Sequence, residues 1–266
     1  MLLLDVAAMT LSVKVALVCN RLSPDIASNL SQSARWIKEA ARKNVDLVCF
    51  GEYTFQGKEE DNYEKDIRVA DTIPGIITSK LSKLSKQHSL HIIAGILERE
   101  QKALYDSAVL ISCTGEITLR YRRINPQWHE RNADKDLYRE GAQFRTASMP
   151  FGKVGVIICG DFFDNSVLKR VKEVKPDFLV VPVAIAIALF ESSYGNSASE
   201  KWATYKKEWI DQAKNLDTTC ILVNSVSNKE KGSHSGGALI VSGNGELLAE
   251  AEIVKEMIIY HELPYL

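Results

Sequence analysis

Apolar residues along this chain fall into short runs that alternate with stretches of helical spacing. Val13 to Val18 is rich in β-branched residues and predicts a strand, while Asn29 to Arg42 sets Leu30, Ala34, Ile37 and Ala41 on one helical face. Asp46 to Phe50 is a second apolar run, and it stops at the polar pair Gly51-Glu52. Thr78 to His88, with Ile77, Leu81 and Leu84 on one face, predicts a second helix, and His91 to Leu97 the strand after it. The strand–helix rhythm then changes. Tyr105 to Ser112 and Glu116 to Tyr121 read as a hairpin joined through Cys113-Thr114-Gly115. Val154 to Cys159 predicts a strand, Ser166 to Val174 a helix and Phe178 to Ala184 another strand. Trp202 to Leu216 has helical spacing, Cys220 to Ser225 predicts a strand, and Gly237 to Val241 with Gly245 to Ala251 a closing hairpin.

Alternating strands and helices interrupted by hairpins imply an α/β layered fold with both parallel and antiparallel pairs, not a purely doubly wound sheet. No tandem repeat or low-complexity linker divides the 266 residues, which predicts one domain over 1–266, with residues 1–12 a disordered or extra N-terminal segment. That opening stretch is apolar but short, lacks a basic region and contains Asp5, so it makes a poor signal peptide. The longest apolar stretch, Phe178 to Phe190, contains Pro182 and falls short of the ~20 residues a membrane span needs.

Charge narrows the partners. Thirty-three basic side chains face thirty-four acidic ones, which gives no global reason for a polyanion to bind and argues against nucleic acid. The five cysteines are an odd number, widely spread and without zinc spacing, and the five histidines show no paired spacing, so no metal site is expected. A reducing, cytoplasmic compartment fits this cysteine usage.

Three positions put reactive groups at or just beyond the ends of apolar strands, where open α/β sheets gather ligands: Glu52, the Arg122-Arg123 pair and Cys159. Singly, each has a plainer explanation as a solvated loop acid, a surface basic pair and an inert core thiol. Their flanks weaken those explanations. Tyr105-Asp106-Ser107-Ala108, Gly115-Glu116-Ile117 and Tyr121-Arg122-Arg123 resemble, in order and spacing, the "Y-N-S-A", "G-x-I" and "Y-R-K" segments of the nitrilase superfamily of carbon-nitrogen hydrolases. Asp46 to Glu52 resembles that family's strand ending in a catalytic glutamate, Gly155 to Asp161 its "G-x-x-I-C-Y-D" elbow, and Val223-Asn224 with Gly236 to Gly245 its later strand and hairpin. The resemblance runs from about Val13 to Pro264.

The resemblance implies a four-layer α-β-β-α sandwich, assembled as a homodimer or larger homo-oligomer. It further implies hydrolysis of a small amide-like substrate without a cofactor. Catalysis would rest on Cys159 as nucleophile, Glu52 as base and Arg123 as cation, with Glu130, Gly160 and Trp128 contacting substrate. The chemistry has its own logic: a thiol attacks as thiolate, so a base must take its proton, and the resulting oxyanion needs a cation and the N–H after the nucleophile. Two positions depart from the pattern. Arg123 stands where the family has lysine, and Gly160 where it usually has an aromatic or other side chain. Lys135 and Lys153 are alternative cations, and a dyad of Cys159 with His129 or His234 is a weaker arrangement. The rival reading is a family member that has lost catalysis and serves as a small-molecule-binding or oligomeric scaffold, and Arg123 separates the two. Substrate identity, and the choice among amidase, carbamoylase and nitrilase chemistry, depend on loops such as Phe55 to Asn62, Gln127 to Glu140 and Glu191 to Trp202.

Overall fold

A computed structural model describes residues 12–58, 62–187, 198–227 and 234–264. The first sheet holds β12 (Met257–Pro264), β1 (Ser12–Cys19), β2 (Leu47–Phe50), β3 (His91–Glu100), β4 (Ala103–Ile111) and β5 (Ile117–Arg122), in that order. The second runs β11 (Leu247–Ile253), β10 (Gly236–Val241), β9 (Thr219–Asn224), β8 (Phe178–Val183), β7 (Gly152–Val156) and β6 (Thr146–Met149). Each has three parallel strands at its centre, β1–β2–β3 and β7–β8–β9, and its other pairings are antiparallel. Both sheets are therefore mixed, as the hairpins in the sequence require.

Side-chain alternation along β1 shows how the layers form. Val13, Val15, Leu17 and Cys19 join the core that the two sheets share, whereas Ala16 and Val18 point the other way. On that outer side, Ile37 and Ala40 of α1 (Ile26–Arg42) and Ile77, Leu81 and Leu84 of α3 (Ile76–His88) cover the first sheet. Asp25 caps α1 by accepting from the amides of Ala27 and Ser28. Val167, Leu168 and Val171 of α4 (Asn165–Val174), with Trp209, Ala213 and Leu216 of α5 (Ala198–Leu216), belong to the core built on the second sheet. The result is the four-layer α-β-β-α sandwich.

The structure adds elements that hydrophobic patterning does not reveal. Helix α2 (Tyr63–Val69) and strand β6 are too short to show a period. Strand β12 lies half-exposed at the sheet edge and pairs with β1 from Ser12↔Pro264 to Cys19↔Met257. One expectation needs correcting at the site itself. The strand predicted to reach Cys159 stops at Val156, and Cys159 opens a 3-10 turn, Cys159–Phe163. The proposed N-terminal segment and most of the Glu191 to Trp202 loop lie outside the described residues. Among those described, no helix is long and apolar enough to cross a membrane.

Candidate active site

Glu52 follows the carboxyl end of β2, where backbone from both sheets converges. Its amide donates to Val183 O of β8 at 3.4 Å, and the His234 ring lies 3.3 Å from its carbonyl oxygen. Gly95 of β3 presses directly on this bend: a Cβ there would meet Glu52 Cα at 2.6 Å and Gly51 O at 2.7 Å. The bend continues through Tyr53, whose φ of 49° is left-handed. The Glu52 side chain is thereby turned inward and is 1% exposed.

Arg123 enters from the end of β5. Its amide donates to Asp106 O at 2.8 Å and its carbonyl accepts from Gly141 N at 2.7 Å. The guanidinium is buried, and Nη1 donates to Glu52 Oε1 at 3.2 Å and to Asp106 Oδ2 at 3.3 Å. Burial alone would lower the basicity of this side chain, but the Cys159 thiol and the two acids reverse that and hold it above its ordinary value. It is a permanent cation.

Cys159 comes from the second sheet, on the turn after β7, and is half-buried with a φ of 44°. A non-glycine residue rarely takes this left-handed conformation. The turn is held by Asp161, whose Oδ2 accepts from the amide of Ile158 and the hydroxyl of Tyr121, and whose Oδ1 accepts from the amides of Ile124 and Asn125. One buried acid thus fastens the nucleophile turn to the strand that carries Arg123. The thiol is pushed up to about 12, first by burial and then by the charge of Glu52. Arg123 and a backbone hydrogen bond from Ala184 act in the opposite direction.

Sequence reasoning misses Asp106. Among the described residues, Glu52 Oε2 and Asp106 Oδ1 are both sealed from solvent and receive no donor if both acids are ionised. Burial and the neighbouring Glu52 charge push the Asp106 carboxyl well above the usual carboxylate range, and its hydrogen bond with Glu52 adds to the shift. Its only signal in the sequence is an acid inside the mainly apolar run Tyr105 to Ile111, all of it buried.

The other predicted site residues fall in different places. Gly160 adjoins the guanidinium: a Cβ there would meet Arg123 Nη2 at 2.4 Å. Trp128 is buried in a small cluster with Tyr53, Leu97, Leu104 and Tyr138, against which Ala184 packs, so it backs the site. Glu130 is not brought to Arg123. It is exposed on the loop after β5, and the acids on the guanidinium are Glu52 and Asp106. Of the alternative cations, Lys153 is engaged by Val174 O, and the His129 ring pairs with Glu140. Among the described residues, no cluster of three His, Cys, Asp or Glu side chains could hold a metal ion.

Comparison with known proteins places this geometry in context. A nitrilase of Pyrococcus abyssi is 33% identical over 156 residues, 57% of each chain. The omega-amidase NIT2 of Xenopus tropicalis is 27% identical over 247 residues, 90% of this chain and 84% of its own. The crystal structure of Saccharomyces cerevisiae Nit3, a nitrilase-superfamily member, superposes with a TM-score of 0.78 at 20% identity, covering 95% of this chain and 90% of that one. The family model for carbon-nitrogen hydrolases matches residues 14–265, and this chain belongs to that family.

Proposed function

We propose that this protein hydrolyses a carbon-nitrogen bond of a small amide-like substrate through a thioester on Cys159. The observation that carries the reading is the meeting of a thiol, a carboxylate and a guanidinium, brought from the ends of β7, β2 and β5, in one buried cluster. With its thiol pushed up to about 12, Cys159 rests protonated, so attack requires a base at the moment of reaction. Glu52 takes the thiol proton as sulfur bonds to the carbonyl carbon. Arg123 and the Gly160 N–H stabilise the oxyanion of the tetrahedral intermediate. Glu52 returns the proton to the nitrogen, the carbon-nitrogen bond breaks and the amine leaves. Water, deprotonated by Glu52, then attacks the thioester, and the thiol and a carboxylic acid are released.

The amide class is supported by the omega-amidase relative. A single hydrolase domain is supported by a family match running almost end to end. A reducing cytoplasmic setting is supported by the odd number and wide spread of the five cysteines, and a homodimer or larger homo-oligomer by family membership alone.

Incubation with acrylamide, followed by mass spectrometry, together with ammonia release from a panel of small primary amides, tests the reading. Labelling of Cys159, lost in Cys159→Ala and slowed in Glu52→Gln, is expected alongside turnover of at least one amide. No labelling and no turnover under reducing conditions would favour the non-catalytic scaffold.

A further inference from the structure

Two departures from the family pattern meet in space. The φ of Gly160 is not left-handed, so backbone conformation does not demand glycine there. Space does. An added Cβ would lie 2.4 Å from Arg123 Nη2, 3.2 Å from Asn125 Oδ1 and 3.4 Å from Arg123 Cζ. The end of an arginine can usually swing aside, but this one is buried and Nη1 is committed to Glu52 and Asp106. Asn125 is equally fixed, its amide and Nδ2 donating to Asp161 and Asp164.

A lysine at 123 would extend only about as far as Cζ. It would leave the Nη2 volume empty and offer one compact ammonium where the guanidinium spreads its donors over a plane. Asp106 completes the arrangement on the other side. Its Oδ2 accepts from Nη1, and the carboxyl, in hydrogen-bonding reach of Glu52, fixes base and cation together.

We propose that Gly160 and Asp106 are positioning residues of a site built around a guanidinium: Gly160 leaves the volume that Arg123 Nη2 fills, and Asp106 anchors Nη1 beside Glu52. Nη2, which donates to no described residue, then rests against the residue that follows the nucleophile, where an oxyanion forms. The assignment of Nη2 to that oxyanion rests on the hydrolase reading. The interlock of Gly160, Arg123 and Asp106 does not.

A double-mutant cycle on the full-length protein tests it, with two readouts: amide turnover, and the rate of iodoacetamide alkylation of Cys159 at one alkaline pH, which requires no turnover. The guanidinium charge favours the thiolate, so Gly160→Ala, by displacing it, is expected to slow alkylation about tenfold. In an Arg123→Lys background the same change should slow alkylation less than about threefold, because no Nη2 remains to be displaced. Any direct obstruction of the thiol by the new methyl group is common to both backgrounds and cancels. Arg123→Lys alone should lower turnover. Asp106→Asn, which keeps an acceptor for Nη1 and a donor for Glu52, should retain turnover within about threefold, and Asp106→Ala should lower kcat about 100-fold with little change in KM. Equal alkylation penalties for Gly160→Ala in the two backgrounds, or equal losses in Asp106→Asn and Asp106→Ala, would overturn the proposal. Alkylation that follows the cycle without amide turnover in any variant would leave the interlock standing and remove the hydrolase reading.

Discussion

The Tyr121 hydroxyl donates to Asp161 Oδ2 across 2.7 Å, and through this bond the strand that presents Arg123 is tied to the turn that presents Cys159. Both partners are buried, so neither can exchange the bond for water without moving. Tyr121→Phe removes the donor and leaves Asp161 Oδ2 with the Ile158 amide. The expected cost is about 1 kcal/mol, a fall of about 2–4 °C in Tm. Turnover should fall more than that stability loss alone explains, because the two halves of the site lose a shared fixture. Thermal unfolding and kcat on the same preparation check both.

Gly95 and Glu52 supply a second test. A methyl group at 95 would be driven against backbone atoms, Glu52 Cα at 2.6 Å, Gly51 O at 2.7 Å and Tyr53 N at 3.1 Å, and none of these can rotate away. Gly95→Ala should therefore cost about 1–3 kcal/mol and displace the carboxylate from Arg123. Denaturant unfolding should show a lower midpoint, and kcat should fall even where the variant is fully folded. A variant as stable and as active as the parent would contradict the close approach.

Where a reactive group breaks or ends an apolar run, the sequence is readable. Glu52 ends Leu47–Phe50 and Cys159 ends the run that begins at Val154, and both lie in the cluster. The central strands and the main helices follow from the same patterning. What escapes is set by pairing across the fold. Asp106 looks like an outward-facing strand residue until the register Ser107↔Arg122 places its backbone against Arg123. Glu130 enters as a substrate contact only through the family resemblance, and the loop carries it to the surface. Gly160 reads as a missing side chain; only the packed guanidinium shows what fills the space. Strand β12 is half-exposed, so its run from Met257 lacks the full burial that makes β1 obvious.

The cysteines should divide by accessibility. Cys19, Cys49 and Cys220 are fully buried in the core between the sheets, out of reach of a reagent in solvent. Cys113 and Cys159 are only half-buried. Brief treatment of the native protein with iodoacetamide should modify Cys113 and Cys159 alone, and all five after denaturation. Peptide mapping before and after unfolding reads this directly, and early modification of Cys49 or Cys220 would be inconsistent with the packing between the sheets.

Asp106 makes stability depend on pH in a direction that can be worked out. Its folded value lies well above the ordinary carboxylate value, so between the two the folded protein holds a proton that the unfolded chain has released. Stability is full below the unfolded value and declines as pH rises towards the folded one, by at most about 1.4 kcal/mol per pH unit. Asp106→Asn cannot titrate and escapes that decline. Its advantage over the parent should therefore grow from acid to neutral and alkaline pH. Glu52, Tyr53, Tyr121, Arg123 and Cys159 also bear on this cluster, but they are present in both proteins, so taking the difference between the two urea-unfolding curves at each pH largely removes them. The same ionisation should impose an alkaline decline on kcat in the parent, because a second charged acid beside Glu52 competes for Arg123, and the Asp106→Asn substitution should flatten it. Parallel stability curves for the two proteins across that range would mean that Asp106 is ionised in the resting site and that the proton resides elsewhere.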